Sequence, residues 1–260
     1  MKQTEASRRA LGAALAVLGG AMWGLSGTVG QFMFTRKGVT SLWLTPIRLF
    51  LSGVLLVVFW LLRDPKTALR PWRERRDRVD LLVYGLAGIS LCQLLYFTTI
   101  QLSSAGMATI LQDLSPITIL LCGCVLARRR PKAREILSIV LALTGLVLMV
   151  THGSLTELAV SPAALLCGIA CAGTVTLYNV YPKRLLSRYP VPLLQGWSFL
   201  MGGTLMLLLF RPWETPVTFD AELLAGIAAV VILGNLLAFN LYMTGVRLIG
   251  PEKAILYAFS

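Results

Sequence analysis

Long apolar runs separated by short polar segments make up most of the chain. A helix needs about 20 apolar residues to cross a hydrocarbon core of roughly 30 Å. Eight runs come close to or exceed this length, and a ninth begins near Ala254. The predicted spans are residues 11–34, 41–62, 81–102, 107–127, 136–150, 162–181, 193–210 and 223–248. Runs such as residues 205–210 do not alternate between apolar and polar positions, as the strands of a membrane barrel would. The pattern therefore predicts an all-α polytopic membrane protein.

The composition agrees with a membrane protein and excludes soluble classes. Of the 260 residues, 56% are hydrophobic and only 14% are charged, whereas about a quarter of the residues in a soluble domain are charged. The mean hydropathy is +0.74. An ordinary cytosolic enzyme, a secreted disulfide scaffold and a disordered chain are therefore excluded. The formal net charge of +12 lies in short loops between apolar runs, so it indicates a negative membrane surface and not nucleic acid as the partner.

The distribution of Lys and Arg predicts the orientation. Twenty of the 24 bases fall in the N-terminal segment and in the loops after the second, fourth, sixth and eighth spans. The other side has only Arg36, Lys37 and Arg211, and Arg48 lies inside a span. Because cytoplasmic loops are enriched in Lys and Arg, the N-terminus is expected to be cytoplasmic. We expect a multi-pass protein of the bacterial cytoplasmic membrane.

An internal repeat relates the two halves of the chain. Residues 96–108 align without gaps on residues 242–254, and the same offset of 146 pairs Gly88 with Gly234. The repeating unit has five helices, and an odd number inverts the second copy in the membrane. Residues 1–152 and 153–260 are the predicted halves, the second one incomplete. The loop after the second helix has seven bases, whereas its counterpart after the seventh has one base and three acids. Inverted repeats with sites near the midplane are typical of secondary transporters.

Several short motifs resemble the EamA-type branch of the drug/metabolite transporter superfamily over the whole chain. They are Ala21-Met-Trp-Gly24, Pro46-Ile-Arg48, Tyr96-Phe97, the segment from Ser103 to Pro116, and Leu143-Thr-Gly-Leu-Val-Leu148. The resemblance implies a ten-helix carrier with both termini cytoplasmic. It also implies a central cavity lined mainly by helices one, three, four, six, eight and nine. Members of the family mostly export amino acids or other small metabolites, or import sugars and related compounds.

Two features depart from the pattern of that family. The chain stops at Ser260, inside the ninth helix, so we expect it to be a truncated form of a longer protein. Gln112 and Asp113 occupy a stretch before Ser115-Pro116 that usually carries a small or apolar residue in the family.

Two charged residues are predicted within the membrane. Asp113 lies about ten residues into the fourth span, and Arg48 has a similar depth in the second. A charge at the bilayer centre costs roughly 2.5–3.5 kcal/mol or more, so such residues face a cavity or a partner. Asp113 is interpreted either as a protonatable gate that couples transport to protons or as a structural carboxylate held by Arg48. Arg48 is interpreted either as that structural partner, which the peripheral second helix of the family favours, or as a clamp for a substrate carboxylate.

Polar and aromatic faces on several helices predict a wet cavity. Amide and phenol groups that share a helix face either bind a polar metabolite or form hydrogen bonds between helices. Each such interhelical hydrogen bond stabilises the protein by about 0.6 kcal/mol. Because several helices carry such faces, a cavity is the better interpretation. The predicted cavity residues are Trp23, Gln93, Tyr96, Gln112, Asp113, Tyr178, Asn235, Asn240 and Tyr242. Pro116 frees a helix carbonyl near Gln112 and is the predicted hinge.

These features predict a secondary carrier that moves an amino acid or similar small metabolite by alternating access. Export is the direction that the resemblance implies, and proton coupling is left open. The alternatives are a membrane-embedded enzyme and a non-transporting fragment. The single His, His152, makes a multi-His metal site impossible, so neither enzyme activity, a metal nor a cofactor is expected. The expected partners are a small-molecule substrate and the lipid bilayer, not nucleic acid, and a homodimer is left open.

Overall fold

The predicted all-helical membrane architecture is confirmed by a computed structural model that describes residues 5–151 and 160–258. Seven helices within that part are long and apolar enough to cross a membrane. The nine principal helices of the described residues, α1 to α9, are Glu5–Arg36, Ser41–Arg63, Arg75–Leu102, Ala105–Leu126, Ala133–Thr151, Pro162–Arg188, Val191–Phe210, Ala221–Ile249 and Pro251–Ala258. The expected boundary at residues 152 and 153, His152 and the expected stop at Ser260 lie outside the described residues.

Three helices extend well beyond their apolar runs. Helix α1 begins at Glu5 and not at residue 11, helix α3 begins at Arg75 and not at residue 81, and helix α6 continues to Arg188, with a turn at Tyr181 and Pro182. The apolar run reflects the thickness of the membrane, whereas the helix itself continues into charged residues outside it. The charged extensions of α3 and α6 carry ion pairs, as described below.

The helices α2 and α7 pack with their backbones in close contact. A Cβ atom added at Gly53 of α2 would collide with the backbone of Leu200, and one added at Gly203 of α7 would collide with the backbone of Phe50. Small residues allow such close approach between membrane helices. Phe50 and Gly53 each lie 150 residues before Leu200 and Gly203, so exchanging the two helices reproduces the contact.

The remaining contacts define two helix bundles. In the first bundle α1 packs against α8 and α9, and in the second bundle α6 packs against α3 and α4. Helix α2 also contacts α8, and α7 contacts α3. If five is added to or subtracted from each helix number, every one of these contacts becomes another of them; the contact of α1 with α8, for example, becomes the contact of α6 with α3. Helix α5 lies outside both bundles, and most of its described side chains are exposed and apolar, as expected for a helix that faces lipid.

Each bundle contains one stretch of π-helix, at related positions. The stretches are Val83–Ser90 in α3 and Val230–Phe239 in α8, and their first residues are 147 apart. A π-helical turn adds a residue to the helical turn and is frequent at functional sites. Gly88 and Gly234, which the sequence repeat pairs, lie within these stretches where α6 and α1 approach closely.

Candidate functional site

A cavity of about 310 Å³ lies between the two bundles. Residues of α1, α2, α3, α4, α6, α8 and α9 line it, and Trp23 and Phe239 place it near the middle of α1 and α8. Arg48 and six of the nine predicted cavity residues line it, namely Trp23, Gln93, Tyr96, Gln112, Asp113 and Tyr178.

Arg48 is held at the cavity by two amide side chains. Its side chain comes from α2 and is only 1% exposed. Nη2 donates hydrogen bonds to Oε1 of Gln93 and to Oδ1 of Asn235, the latter at 2.7 Å. Gln93 Nε2 also donates to Asn235 Oδ1 at 3.1 Å. Since Gln93 belongs to α3 and Asn235 to α8, this network joins the two bundles through α2.

Other contacts fix the orientation of the guanidinium group. The ring of Phe97 lies beneath it, with Cζ of Arg48 4.0 Å from the ring centre, which is a cation–π distance. Asn235 Nδ2 donates to the Arg48 carbonyl at 3.2 Å and to Ser52 Oγ at 2.9 Å. The amide of Asn235 therefore contacts both the backbone and the side chain of Arg48, and little freedom is left to either.

The hydrogen bonds of Arg48 are nevertheless incomplete. Its Nε and Nη1 atoms are buried and have no hydrogen-bond partner in the part of the chain that the structure describes. The same holds for Oγ of Ser26, which also lines the cavity. Buried polar groups are satisfied in about nine of ten cases, so each exception calls for an explanation. Three N–H groups of a buried cation are therefore left for a ligand or for water.

Asp113 lies at a break in helix α4. The helical segments Ala105–Gln112 and Ser115–Leu126 flank it. Its N–H donates to the Thr109 carbonyl at 2.9 Å and to the Ile110 carbonyl at 3.2 Å. Pro116 has no N–H to donate to the Gln112 carbonyl, which explains the position of the break.

The structural pairing of Asp113 with Arg48, one of the two interpretations of Asp113, is not formed among the described residues. The ion pairs found among the described residues do not include one between them. Nη2 of Arg48 is already bonded to Gln93 and Asn235, and Asp113 is exposed. It borders both the central cavity and a second cavity of about 510 Å³ between α4, α5 and α9.

Aromatic side chains form much of the cavity wall. Trp23 packs edge-on against Phe239 with ring centres 4.7 Å apart, and Tyr178 lies 5.9 Å from Phe239. The Tyr96 hydroxyl bonds to Thr109 Oγ1 at 3.0 Å. The hydroxyl of Tyr178 is buried without a partner. The wall is thus apolar with a few polar groups, as is usual for small-molecule sites.

Three predicted cavity residues lie outside the lining, all of them on α8. Asn235 lies behind Arg48 and holds it. Asn240 donates to the Leu236 carbonyl of its own helix at 2.7 Å, and Tyr242 donates to Asn179 Oδ1 of α6 at 2.7 Å. Asn235 and Tyr242 thus use their polar groups in contacts with other helices, whereas Asn240 bonds within its own helix. The residue of α8 that lines the cavity is Phe239.

Apart from Arg48, the predicted cavity residues leave out ten of the lining residues, and those with a hydroxyl group or an aromatic ring are Ser26, Phe97, Thr109 and Phe239. Phe97 follows Tyr96 directly, and a buried Arg is a signal to look for an aromatic ring. Ser26 belongs to a glycine-rich helix whose pattern is explained by packing alone, so nothing in the sequence distinguishes it.

An ion-pair cluster holds α3 against α6 on the face that carries the N-terminus, called here the basic face. Arg188 bonds to Glu74 at 2.5 Å and to Asp77 at 2.8 Å, and Arg184 bonds to Asp77 at 2.7 Å. Asp77 is 0% exposed and also accepts from the Tyr189 hydroxyl. Burial and the bond to Asp77 raise the pKa of Tyr189 to about 12, and the bond from Arg188 lowers the pKa of Glu74.

A second cluster holds α1 against α8 on the opposite face. Nζ of Lys37 lies 2.6 Å from carboxylate oxygens of both Asp220 and Glu222. The hydrogen bond from Lys37 lowers the pKa of Asp220, and the bonds to the two carboxylates raise the pKa of Lys37. Glu74 and Asp220 are the N-cap residues of α3 and α8 and are 146 residues apart. The two clusters are thus at related positions on opposite faces.

A multi-pass helical protein with a partly polar cavity between two bundles has the architecture of a membrane transporter. Residues 10–151 match the EamA-like transporter family, and the chain belongs to this family.

Relatives and a solved structure agree with this assignment. The chain is 36% identical over 234 residues to the uncharacterized inner membrane transporter YicL of Salmonella typhimurium, covering 90% of this chain and 77% of YicL. It is 27% identical over 220 residues to an uncharacterized transporter of Archaeoglobus fulgidus, covering 81% and 73%. A crystal structure with 20% identity covers 95% of this chain and 83% of its own, with a TM-score of 0.67, and supports the fold.

Proposed function

We propose that the protein is a secondary active transporter that moves a small metabolite across the bacterial inner membrane by alternating access. The observation that carries this proposal is the central cavity, because both bundles contribute to one polar site near mid-membrane. The membrane named for the YicL relative and the distribution of bases support the location, with the basic face in the cytoplasm.

The packing supports an inverted repeat of residues 1–152 and 153–260. Exchanging α1 with α6, α2 with α7, α3 with α8 and α4 with α9 reproduces the contacts that define the two bundles, the positions of the π-helical stretches and the ion-pair clusters. The related clusters lie on opposite faces, as an inverted copy requires. In transporters of this kind the two repeats move around a fixed central site.

The parts of the molecule suit two bundles that move as units. The basic-face cluster connects α3 with α6, both in the second bundle, and the opposite-face cluster connects α1 with α8, both in the first. Each cluster therefore stabilises one bundle and does not close the cavity. The break of α4 at Asp113 and Pro116 is the proposed hinge, and Asp113 is the proposed site of proton coupling.

The substrate class proposed is an amino acid or a similar small metabolite, and the proposed direction is export. A reconstitution experiment tests the transport proposal. The purified protein is placed in liposomes loaded with a mixture of amino acids and small metabolites, and their loss is followed by mass spectrometry with and without a proton gradient. Selective loss of one class is expected. No loss of any component from folded protein would contradict the proposal.

A pair of variants tests whether substrate passes through the cavity. Gly24 lines the cavity and Gly173 does not, and a Cβ atom added at either meets nothing within 4 Å. Gly24→Leu should therefore fill the cavity without disturbing the fold and lower transport at least about tenfold, because a few methyl groups occupy space that the substrate needs. Gly173→Leu should transport like the wild type. Equal transport by both variants would exclude the cavity as the route.

A further inference from the structure

We propose that Arg48 binds the carboxylate of a substrate that has one negative charge and an apolar body. This inference rests on the proposed transport function and names the chemistry that the same cavity recognises.

Arg48 has hydrogen-bonding capacity that the described residues do not meet. The side chain is 99% buried and lines the cavity, yet Nε and Nη1 have no hydrogen-bond partner among those residues. Nη2 has two N–H groups, and both are used by Gln93 and Asn235. The free N–H groups are donors only, since a guanidinium group accepts no hydrogen bonds and stays protonated. The site therefore needs an acceptor.

The positive charge of Arg48 is not balanced by the described residues that contact it. Gln93, Asn235 and the Phe97 ring contact the guanidinium group, and none of them carries a charge. The ion pairs among the described residues do not include Arg48. A cation inside the membrane is costly unless it meets a partner. An anionic ligand supplies both the counter-charge and the hydrogen-bond acceptors, whereas water supplies acceptors without a charge.

The guanidinium group of Arg48 is already oriented in the absence of a ligand. The bonds from Nη2 and the Phe97 ring fix the guanidinium plane before any ligand arrives. An ordered site loses less conformational entropy on binding. Gln93 and Asn235 also belong to different bundles. A ligand bound to Arg48 therefore contacts a guanidinium group that is hydrogen-bonded to both bundles.

The cavity composition selects a monocarboxylate. Phosphates are usually bound by several cationic groups, and Arg48 is the one Arg or Lys among the residues that line this cavity. Trp23, Tyr96 and Phe239 provide an aromatic wall for an apolar body. Asp113 at the cavity border disfavours a second negative charge nearby.

Three probes that share one body test the proposal without any mutation. They are 3-phenylpropionate, its neutral amide 3-phenylpropanamide, and the cationic amine 2-phenylethylamine. Each is titrated into the purified wild-type protein while the thermal unfolding temperature is measured, and each is tested as an inhibitor of liposome transport. The carboxylate should bind at least about tenfold more tightly than the amide, because hydrogen bonds to charged groups are the stronger ones.

Variants then assign the effect to Arg48. Arg48→Gln should remove the preference for the carboxylate over the amide, and Arg48→Lys should keep part of it because the charge remains. Arg63→Gln is the matched control, since Arg63 lies on the same helix but is exposed at its end. If Arg48→Gln does not fold, the comparison of carboxylate with amide on the wild type still decides.

The outcomes separate this inference from the transport proposal. Transport of some substrate together with equal binding of carboxylate and amide would overturn the inference and leave transport standing. An unchanged carboxylate preference in Arg48→Gln would also overturn it. Absence of both transport and binding for every compound would reject the two proposals together.

Discussion

Arg48 and Asp113 are both charged residues inside the membrane, but their surroundings differ. Arg48 is buried and bonded to neutral groups from two other helices. Asp113 is exposed at a helix break between two cavities. Arg48 is thus suited to hold one orientation, whereas Asp113 borders both cavities, as the proposed proton coupling requires.

Asp113→Asn tests the proposed proton coupling. The variant keeps the size of the side chain but cannot lose a proton, so a proton gradient should no longer accelerate transport. Transport down a substrate gradient should continue, because the cavity is unchanged. Liposome efflux measured with and without a pH gradient checks this expectation.

The control for that experiment is Glu214→Gln, since Glu214 is exposed in a loop and paired with Arg211 at 3.3 Å. It should respond to the gradient like the wild type. Full gradient-dependent acceleration in Asp113→Asn would exclude Asp113 as the coupling group.

Single residues were predictable from sequence where their chemistry conflicts with their surroundings. Asp113, Gln93 and Tyr96 were selected because a polar group in an apolar span needs a partner or a cavity. Their partners were not predictable. Arg48 bonds to Asn235, 187 positions away, and such a pairing depends on which helices pack together.

At the scale of helices, the closest packing occurs where glycines remove the side chain. The contacts of Gly53 with Leu200 and of Gly203 with Phe50 hold α2 against α7. Both contacts involve backbone atoms, which cannot move aside as a flexible side chain does.

Gly203→Ala should therefore destabilise the protein by about 1–3 kcal/mol, the usual range for an overpacked core. The reason is that the new methyl group forces α2 and α7 apart. The matched control is Gly173→Ala, whose methyl group meets nothing within 4 Å. Thermal unfolding of the purified variants in detergent measures the difference, and equal stability would show that this contact is not a constraint.

The helices were the most predictable part of the structure. Five of the eight complete spans lie within three residues of their predicted limits at both ends. The extensions of α3 and α6 were missed because they contain charged residues, which hydropathy excludes. The π-helical stretches were also missed, since hydropathy does not distinguish a π-helix from an α-helix.

At the scale of the whole molecule, the two ion-pair clusters stabilise different bundles on different faces. Glu74 and Asp220 occupy the same position in the repeat, directly before α3 and α8, and each pairs with a base at or just after the C-terminal end of the helix that packs there. The repeat was detectable in the sequence from its offset of 146. The pairing of Glu74 with Arg188 and of Asp220 with Lys37 was not detectable, because the segments that separate the paired residues in the sequence differ in length.

The opposite-face cluster gives a stability that depends on pH in a defined direction. The pKa of Asp220 is lowered from its usual 3.8 by Lys37, so the stabilisation is present above that value and is lost as the pH falls below it. The pKa of Lys37 is raised from its usual 10.5, so the stabilisation is present below that value and is lost at higher pH. Lys37→Gln should thus lower the unfolding temperature by a constant small amount between about pH 5 and pH 10. The deficit should shrink outside this window, and thermal unfolding of both proteins across the pH range measures it.

Arg36→Gln, which changes the neighbouring base without removing the cluster, is the control. A deficit that does not vary with pH would mean that Lys37 stabilises α1 and α8 by packing, and the cluster would then not act as an ion pair.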